Sequence, residues 1–267
     1  VSPPLDINYE VMKYKDNGSV LRLILNKTQE VHKSAGGQVY QRHGAQSLKL
    51  TDPNAITQLS FAKGSQSFED NPLNDIPPDD IVYSDQLEKF LADLSPKTDP
   101  LDFVVNRYLV DYKTWAPKVA AAVLFHPIPP AVISRKCSVK ITRYETREDD
   151  PERDHLAAQK TIEGPCYNLI SQTVDAVRNI MSAVQVWTSD GLKRLDYPPE
   201  AIWETIANAV IHRDYSISDD IQILIFDDRI AILSPGRLPG YVTVQNILDA
   251  RFSRNSKIVG ILARYKN

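Results

Sequence analysis

The residues of this chain best suited to chemistry recur along one stretch of helix. Glu204, Asn208 and His212 follow one another at four-residue intervals, which puts them on one stripe of an α-helix. A carboxylate and a carboxamide one turn apart can address a single small target. The carboxylate can orient a water, and the carboxamide oxygen can ligate Mg²⁺, which takes oxygen ligands and keeps several waters. The same spacing also fits a solvent-facing helix pair with no ligand. His212 could meet a phosphate, or it could serve as the basic residue that the helix C-terminus favours. Arg213 and Asp214 read more as ties from the helix to the next loop than as ligands.

Elements able to position this stripe surround it. Pro198 and Pro199 suit a helix start, and Ile202, Ile206, Ala209 and Val210 give that helix an apolar stripe. Ile221 to Phe226 and Arg229 to Leu233 read as an antiparallel pair turning at Asp227-Asp228, a turn being the commoner use of such a dipeptide than a metal site. Upstream, Ser138 to Tyr144 alternates as a strand. Gly164 to Val184 is a long amphipathic helix with Leu169, Ile170, Val174, Val177, Ile180 and Met181 on one side. Lys118 to Phe125, apolar and bounded by prolines, reads as a buried strand. The fold class is therefore α/β (α+β), with helices on one face of a mixed sheet.

Three segments are expected. Residues 1–65 are β-rich, with a strand at Val20 to Leu25, a turn at Ala35-Gly36-Gly37 and a second strand at Val39 to Gly44. A helix follows from Asn54 to Ser60, begun by Thr51-Asp52-Pro53. Residues 66–102 carry ten acidic side chains against two lysines and five prolines, and read as a solvated connector. Within it, Ser84 can cap a short helix that shows Leu87, Phe90, Leu91 and Leu94 on one side. Residues 103–267 form the second domain.

Composition excludes several classes. With 42% hydrophobic and 24% charged residues among 267, the chain can build about two globular domains. No apolar run approaches the ~18 residues of a membrane span, and no signal peptide opens the sequence. Two cysteines without a CxxC spacing, Cys137 and Cys166, suggest buried reduced thiols and a cytoplasmic setting. A net charge of −3 disfavours whole-surface attraction to nucleic acid, so any such contact must be local. Residues 1–60 hold seven Lys or Arg against five acidic residues; Lys33, Arg42 and Lys49 are the candidates there. P-loop, serine-hydrolase elbow and H-E-x-x-H motifs are absent. The chain lacks an initiator Met, and Ala263 to Asn267 continue a helical pattern, so an internal portion of a longer polypeptide is expected, its second domain cut short at the C-terminus.

Glu204-x-x-x-Asn208-Ala209 resembles the N-box of the GHKL ATPases, in which the Glu activates water and the Asn holds Mg²⁺. The longer string, E-x-x-x-N-A-V-I-H-R-D-Y, then a strand, then D-D-R-I-x-I-x-S-P-G-x-L-P, resembles a prokaryotic family that joins a GHKL-like ATP-binding domain to a Schlafen-type AlbA domain. Its members are described as predicted transcriptional regulators, often with a RecG-helicase-related label. Tyr40, Arg42, Gly44 and Ser47 resemble the hairpin of the AlbA half, whose Glu-rich nuclease-like segment does not appear in this chain. Ser234, Gly236 and Leu238 stand where GHKL proteins carry an Asp-x-Gly-x-Gly box, with Ser in place of the Asp and Leu in place of the second Gly. Ser253-Arg254-Asn255 resembles the family's S-R-N segment, with Arg254 facing phosphates or Asn255 bonding a helix terminus.

The resemblance implies a partial Schlafen-AlbA-like module followed by a GHKL-like α/β sandwich. The implied function is an ATP- and Mg²⁺-dependent regulator, a switch or slow ATPase, that contacts DNA or RNA and can form a homo-oligomer. Glu204 would be catalytic and Asn208 the metal ligand. Asn208, His212, Ser234, Gly236, Leu238 and Arg254 would hold the nucleotide, and Lys33, Arg42 and Lys49 the nucleic acid. Two alternatives stay open: a non-hydrolysing dimerisation scaffold, which the Ser234 substitution favours, and a Schlafen-type nuclease whose carboxylates lie outside this chain.

Overall fold

A computed structural model describes residues 1–14, 18–188, 191–194, 197–250 and 252–265. The last two residues of the Ala263–Asn267 end thus lie outside the described residues. The chain divides into two units: unit 1 comprises Val1–Ser67 with Arg237–Arg254, and unit 2 comprises Phe68–Gly236 with Asn255–Asn267.

Unit 1 holds two hairpins and a helix: β1 (Ile7–Tyr14) with β2 (Gly18–Leu25), β3 (Val39–His43) with β4 (Gln46–Leu50), and α1 (Pro53–Lys63). The first hairpin's register sets Ile7, Tyr9 and Val11 opposite Leu25, Leu23 and Leu21 on one exposed face, with Glu10 opposite Arg22 on the other. In the second, Tyr40 faces Lys49 and Arg42 faces Ser47. Asp52 accepts the Asn54 N–H at 2.9 Å to start α1, Pro53 takes the first turn, and Gly64 ends it in a left-handed conformation. A side chain at Gly64 would also collide with the Phe252 ring. The returning segment 237–254 is tied in through carbonyls. The Lys27 ammonium donates to Leu238 O and Val242 O, and Gly240 N–H to Lys63 O.

In unit 2 a 3-10 turn, Phe68–Asp70, leads to α2 (Asp79–Val82), α3 (Asp85–Leu94), α4 (Pro100–Asn106), α5 (Val119–Phe125) and α6 (Pro129–Ile133). Then come β5 (Val139–Tyr144), β6 (Leu156–Ile162), α7 (Cys166–Ser182), the pair β7 (Gln185–Thr188) and β8 (Gly191–Arg194), α8 (Pro199–Ile211), β9 (Ile221–Ile225), β10 (Ile230–Leu233) and α9 (Ser256–Tyr265). The main sheet runs β10-β9-β5-β6, with β5 and β9 parallel and the other neighbours antiparallel. Its inward face is built by period-two alternation: Ile221, Ile223 and Ile225 are buried, level with Val139, Ile141 and Arg143 of β5. Helix α7 packs its Leu169, Ile170, Val174, Val177 and Met181 side on this core, against β5 and α8. The mixed α/β class holds, and so do the strands expected at 138–144, 221–226 and 229–233.

Two expectations are corrected. Within Lys118 to Phe125, Val119–Phe125 is the helix α5, not a strand. All seven residues of α5 are buried, so no polar position marks a period, and its three alanines favour helix. Residues 66–102 are not a solvated connector. Ile81, Val82, Leu87, Phe90 and Leu91 belong to the unit 2 core, and Phe90 packs its ring on Phe103 and Phe125 at 5.5 and 5.4 Å. The acidic residues that suggested solvation, such as Asp79, Asp85 and Glu88, point outward from these amphipathic turns. Ser84 does cap α3, accepting the Leu87 N–H at 3.2 Å. The boundary expected at residue 103 therefore falls inside unit 2, and unit 1 extends past 65 and draws in 237–254.

Candidate functional site

Helix α8 carries two faces. Ile202, Ile206 and Val210 enter the core. On the adjoining side Trp203, Ala207, Asn208, Ile211 and His212 line a cavity of about 220 Å³, whose other walls are Tyr167 and Ile170 of α7 and Val259, Leu262 and Ala263 of α9. The Tyr167 and Trp203 rings meet edge-on, with centroids 6.3 Å apart. Asn208 and His212 are thus the polar pair in a wall that is otherwise apolar and aromatic. His212 also closes the helix, giving its N–H to Asn208 O at 3.0 Å. Desolvation pulls the His212 pKa below its ordinary value, so the imidazole is neutral at pH 7 and offers one donor and one acceptor.

The cavity depends on the placement of α9, which long-range contacts secure. The Asn255 carboxamide donates to Ile211 O at 2.7 Å and Arg213 O at 2.9 Å, joining the start of α9 to the end of α8. Glu69, fully buried, accepts the N–H groups of Lys257 at 2.9 Å and Ile258 at 3.1 Å and the Ser256 hydroxyl at 3.3 Å. It caps α9 from a segment almost two hundred residues away in sequence. Lys257 pairs with Asp70 beside it.

The remaining candidates are distributed as follows. Glu204 shares the stripe but lies one turn toward the N-terminus, is exposed, and is not among the cavity-lining residues. Ser234 donates its hydroxyl to Ala209 O at 2.8 Å, and Pro235 O accepts the Asp214 N–H at 2.8 Å, so the loop through Gly236 is stitched to the end of α8. Arg213, 1% exposed, donates to Lys136 O, Ile217 O and Asp219 O and lies over the Tyr215 ring at 5.0 Å. Asp214 accepts from Ser216 at 2.6 Å. Leu238 and Arg254 belong to unit 1, where Arg254 donates to Phe61 O at 3.1 Å and Arg237 O at 2.7 Å. Arg42 reaches Gly44 O at 2.8 Å and shares a hairpin face with Lys49. The Lys33 backbone pairs with Ser2. Nothing in the sequence singles out Tyr167, Trp203 and Glu69. The two rings look like ordinary core positions, and a cap supplied from a remote segment has no local signature.

The donor set does not fit a resident Mg²⁺. Around the cavity the oxygen donors are one carboxamide and one phenol, whereas Mg²⁺ is ordinarily held by one or two carboxylates together with phosphates. No group of three or more His, Cys, Asp or Glu among the described residues is placed to hold a metal. Nor does any described helix have the length and apolar character to cross a membrane.

Residues 218–267, which contribute β9, β10 and α9, match the family described as "Putative ATP-dependent DNA helicase recG C-terminal". No curated protein matches the chain. Among solved structures, the DIP2311 protein from Corynebacterium diphtheriae is similar at a TM-score of 0.52 and 16% identity, over 98% of this chain and 51% of that one. This chain spans about half the length of that protein, and the likeness is one of fold.

Proposed function

We propose that unit 2 is a nucleotide-binding module that takes ATP and serves as a switch within a larger nucleic-acid-associated protein. The observation that carries this reading is the cavity beside α8. It sets Asn208 and His212, the polar residues of the N-box-like string, among aromatic and aliphatic side chains, and α9 of the ATPase-type family match forms its far wall. Apolar concavities with a few convergent polar groups are the usual form of small-ligand sites. Titration calorimetry with ATP on the full chain tests it. Saturable binding that Asn208→Ala weakens about tenfold is expected; no heat at millimolar ATP would refute it.

Within this proposal the module signals by occupancy rather than by rapid turnover. Glu204 stands outside the cavity lining, and the Ser234 hydroxyl is engaged with Ala209 O, which favours a non-hydrolysing switch over the slow ATPase. Regulation of transcription, contact with DNA or RNA through Arg42 and Lys49, and self-association belong to the same proposal. The Schlafen-type half of the resemblance rests on the Tyr40, Arg42, Gly44 and Ser47 pattern alone.

A further inference from the structure

The cavity's size and lining narrow what can enter it. At about 220 Å³ it is smaller than the roughly 300–1,000 Å³ of most ligand pockets. It is larger than the about 150 Å³ cavity that accepts a benzene. A fused bicyclic ring is of a size to enter it, and a nucleoside triphosphate would extend beyond its mouth. The lining contains no Lys or Arg that could hold phosphate and no carboxylate that could hold a metal. It does contain Trp203 and Tyr167, two rings set edge to face against which a planar ring can pack, with Ile211, Val259 and Leu262 completing the apolar wall. The Asn208 carboxamide offers a donor and an acceptor side by side. That arrangement matches the paired donor and acceptor on the edge of an adenine ring. Neutral His212 adds one of each.

We infer that this cavity is a metal-independent subsite for a purine ring, with Asn208 reading the edge of the base rather than holding Mg²⁺. The inference deepens the nucleotide-binding reading and gives Asn208 a different role from the one its motif implies. Any phosphates lie outside the cavity. The base inside it is held by stacking and by the Asn208 amide, so a nucleoside without phosphate binds, and chelating agents leave binding unchanged.

The test uses the full chain and adenosine, followed by calorimetry and by tryptophan fluorescence, with Trp203→Phe identifying the Trp203 signal. Adenosine is expected to bind equally in EDTA and in Mg²⁺. Asn208→Ala is expected to weaken it up to about tenfold, the scale of losing a hydrogen bond. Asn208→Asp should weaken it as well, because a carboxylate lacks the donor, and Mg²⁺ should not restore it. Ala263→Phe, at an exposed position lining the cavity, should abolish adenosine binding while circular dichroism and melting temperature stay native. Several results would overturn the inference: ATP binding that needs Mg²⁺ with no adenosine binding, adenosine binding indifferent to both Asn208→Ala and Ala263→Phe, or Mg²⁺-dependent rescue in Asn208→Asp. The first of these leaves the nucleotide-binding reading intact. Adenosine binding without ATP binding would instead sink that reading and keep the subsite.

Discussion

Cys137 and Cys166 lie in the unit 2 core, and desolvation pushes both thiols up to about 12. The thiolate is the reactive form, so neither thiol should react with a disulfide reagent at pH 8 until the protein unfolds. A kinetic trace with two fast equivalents in the native state would contradict this. The linkage has a definite sign. The unfolded thiols ionise near pH 8.5 while the folded ones keep their protons, so stability falls as pH rises from about 8.5 toward 12. The slope is about 1.4 kcal/mol per unit per thiol. Urea titrations at pH 8 and 10 should show the loss, and Cys166→Ala should reduce it. At the other candidate position, Glu204→Gln should leave ATP affinity unchanged within about twofold, because the side chain is outside the cavity lining. A tenfold loss by calorimetry would place Glu204 in the site after all.

The elements that hold the cavity show why the sequence revealed only part of it. The period of α8 displays its polar stripe directly, and Asn208 and His212 do reach the cavity. α9 becomes the opposite wall through Glu69 and Asn255, contacts that cross long stretches of chain and leave no periodic trace. α5 was misread because complete burial erases the alternation that separates helix from strand. In the acidic 66–102 region, charge count says nothing about which side of a turn the charges occupy, so its core-facing residues are hidden. Glu69 also yields a prediction at this scale. Burial raises its pKa against the lowering pull of the Lys257 and Ile258 N–H bonds. Its folded pKa then lies above its unfolded one, so this group's contribution to stability is fully present below the unfolded pKa and is lost as pH rises through the folded pKa. Glu69→Gln should flatten that dependence. Glu69→Ala should cost about 2 kcal/mol at pH 7 by leaving the α9 donors unmet, and should loosen the cavity wall. Denaturant midpoints across pH 4–8 for wild type and both variants provide the check. The same curve shape in wild type and Glu69→Gln, together with no loss of stability in Glu69→Ala, would remove the role assigned to Glu69.

At the scale of the whole molecule, a chain of net charge −3 divides its chemistry between two units. Unit 2 has the cavity, and unit 1 presents the hairpin face on which Tyr40, Arg42, Ser47 and Lys49 come together. Register explains the grouping: the Tyr40–Lys49 and Arg42–Ser47 pairs put both cations and an exposed tyrosine on one side, although six residues separate Arg42 from Lys49 in sequence. Lys33, engaged through its backbone with Ser2, is not one of these pairs. A face with two cations can neutralise about two phosphates, each steepening the dependence of log affinity on log salt by about 0.9. If the proposed nucleic-acid contact is made here, duplex DNA binding by the full chain should be weak, falling about tenfold between 50 and 200 mM salt. Arg42→Ala should lower it alike for unrelated sequences and reduce the slope by about one, because phosphate contacts carry no base information. Tyr40→Ala should matter more on single strands, where exposed bases can stack on the ring. Fluorescence anisotropy with labelled duplex and single-stranded oligonucleotides over a salt series measures all three effects. No binding, salt-insensitive binding, or binding unchanged in an Arg42→Ala, Lys49→Ala double variant would remove the proposed nucleic-acid contact from this hairpin.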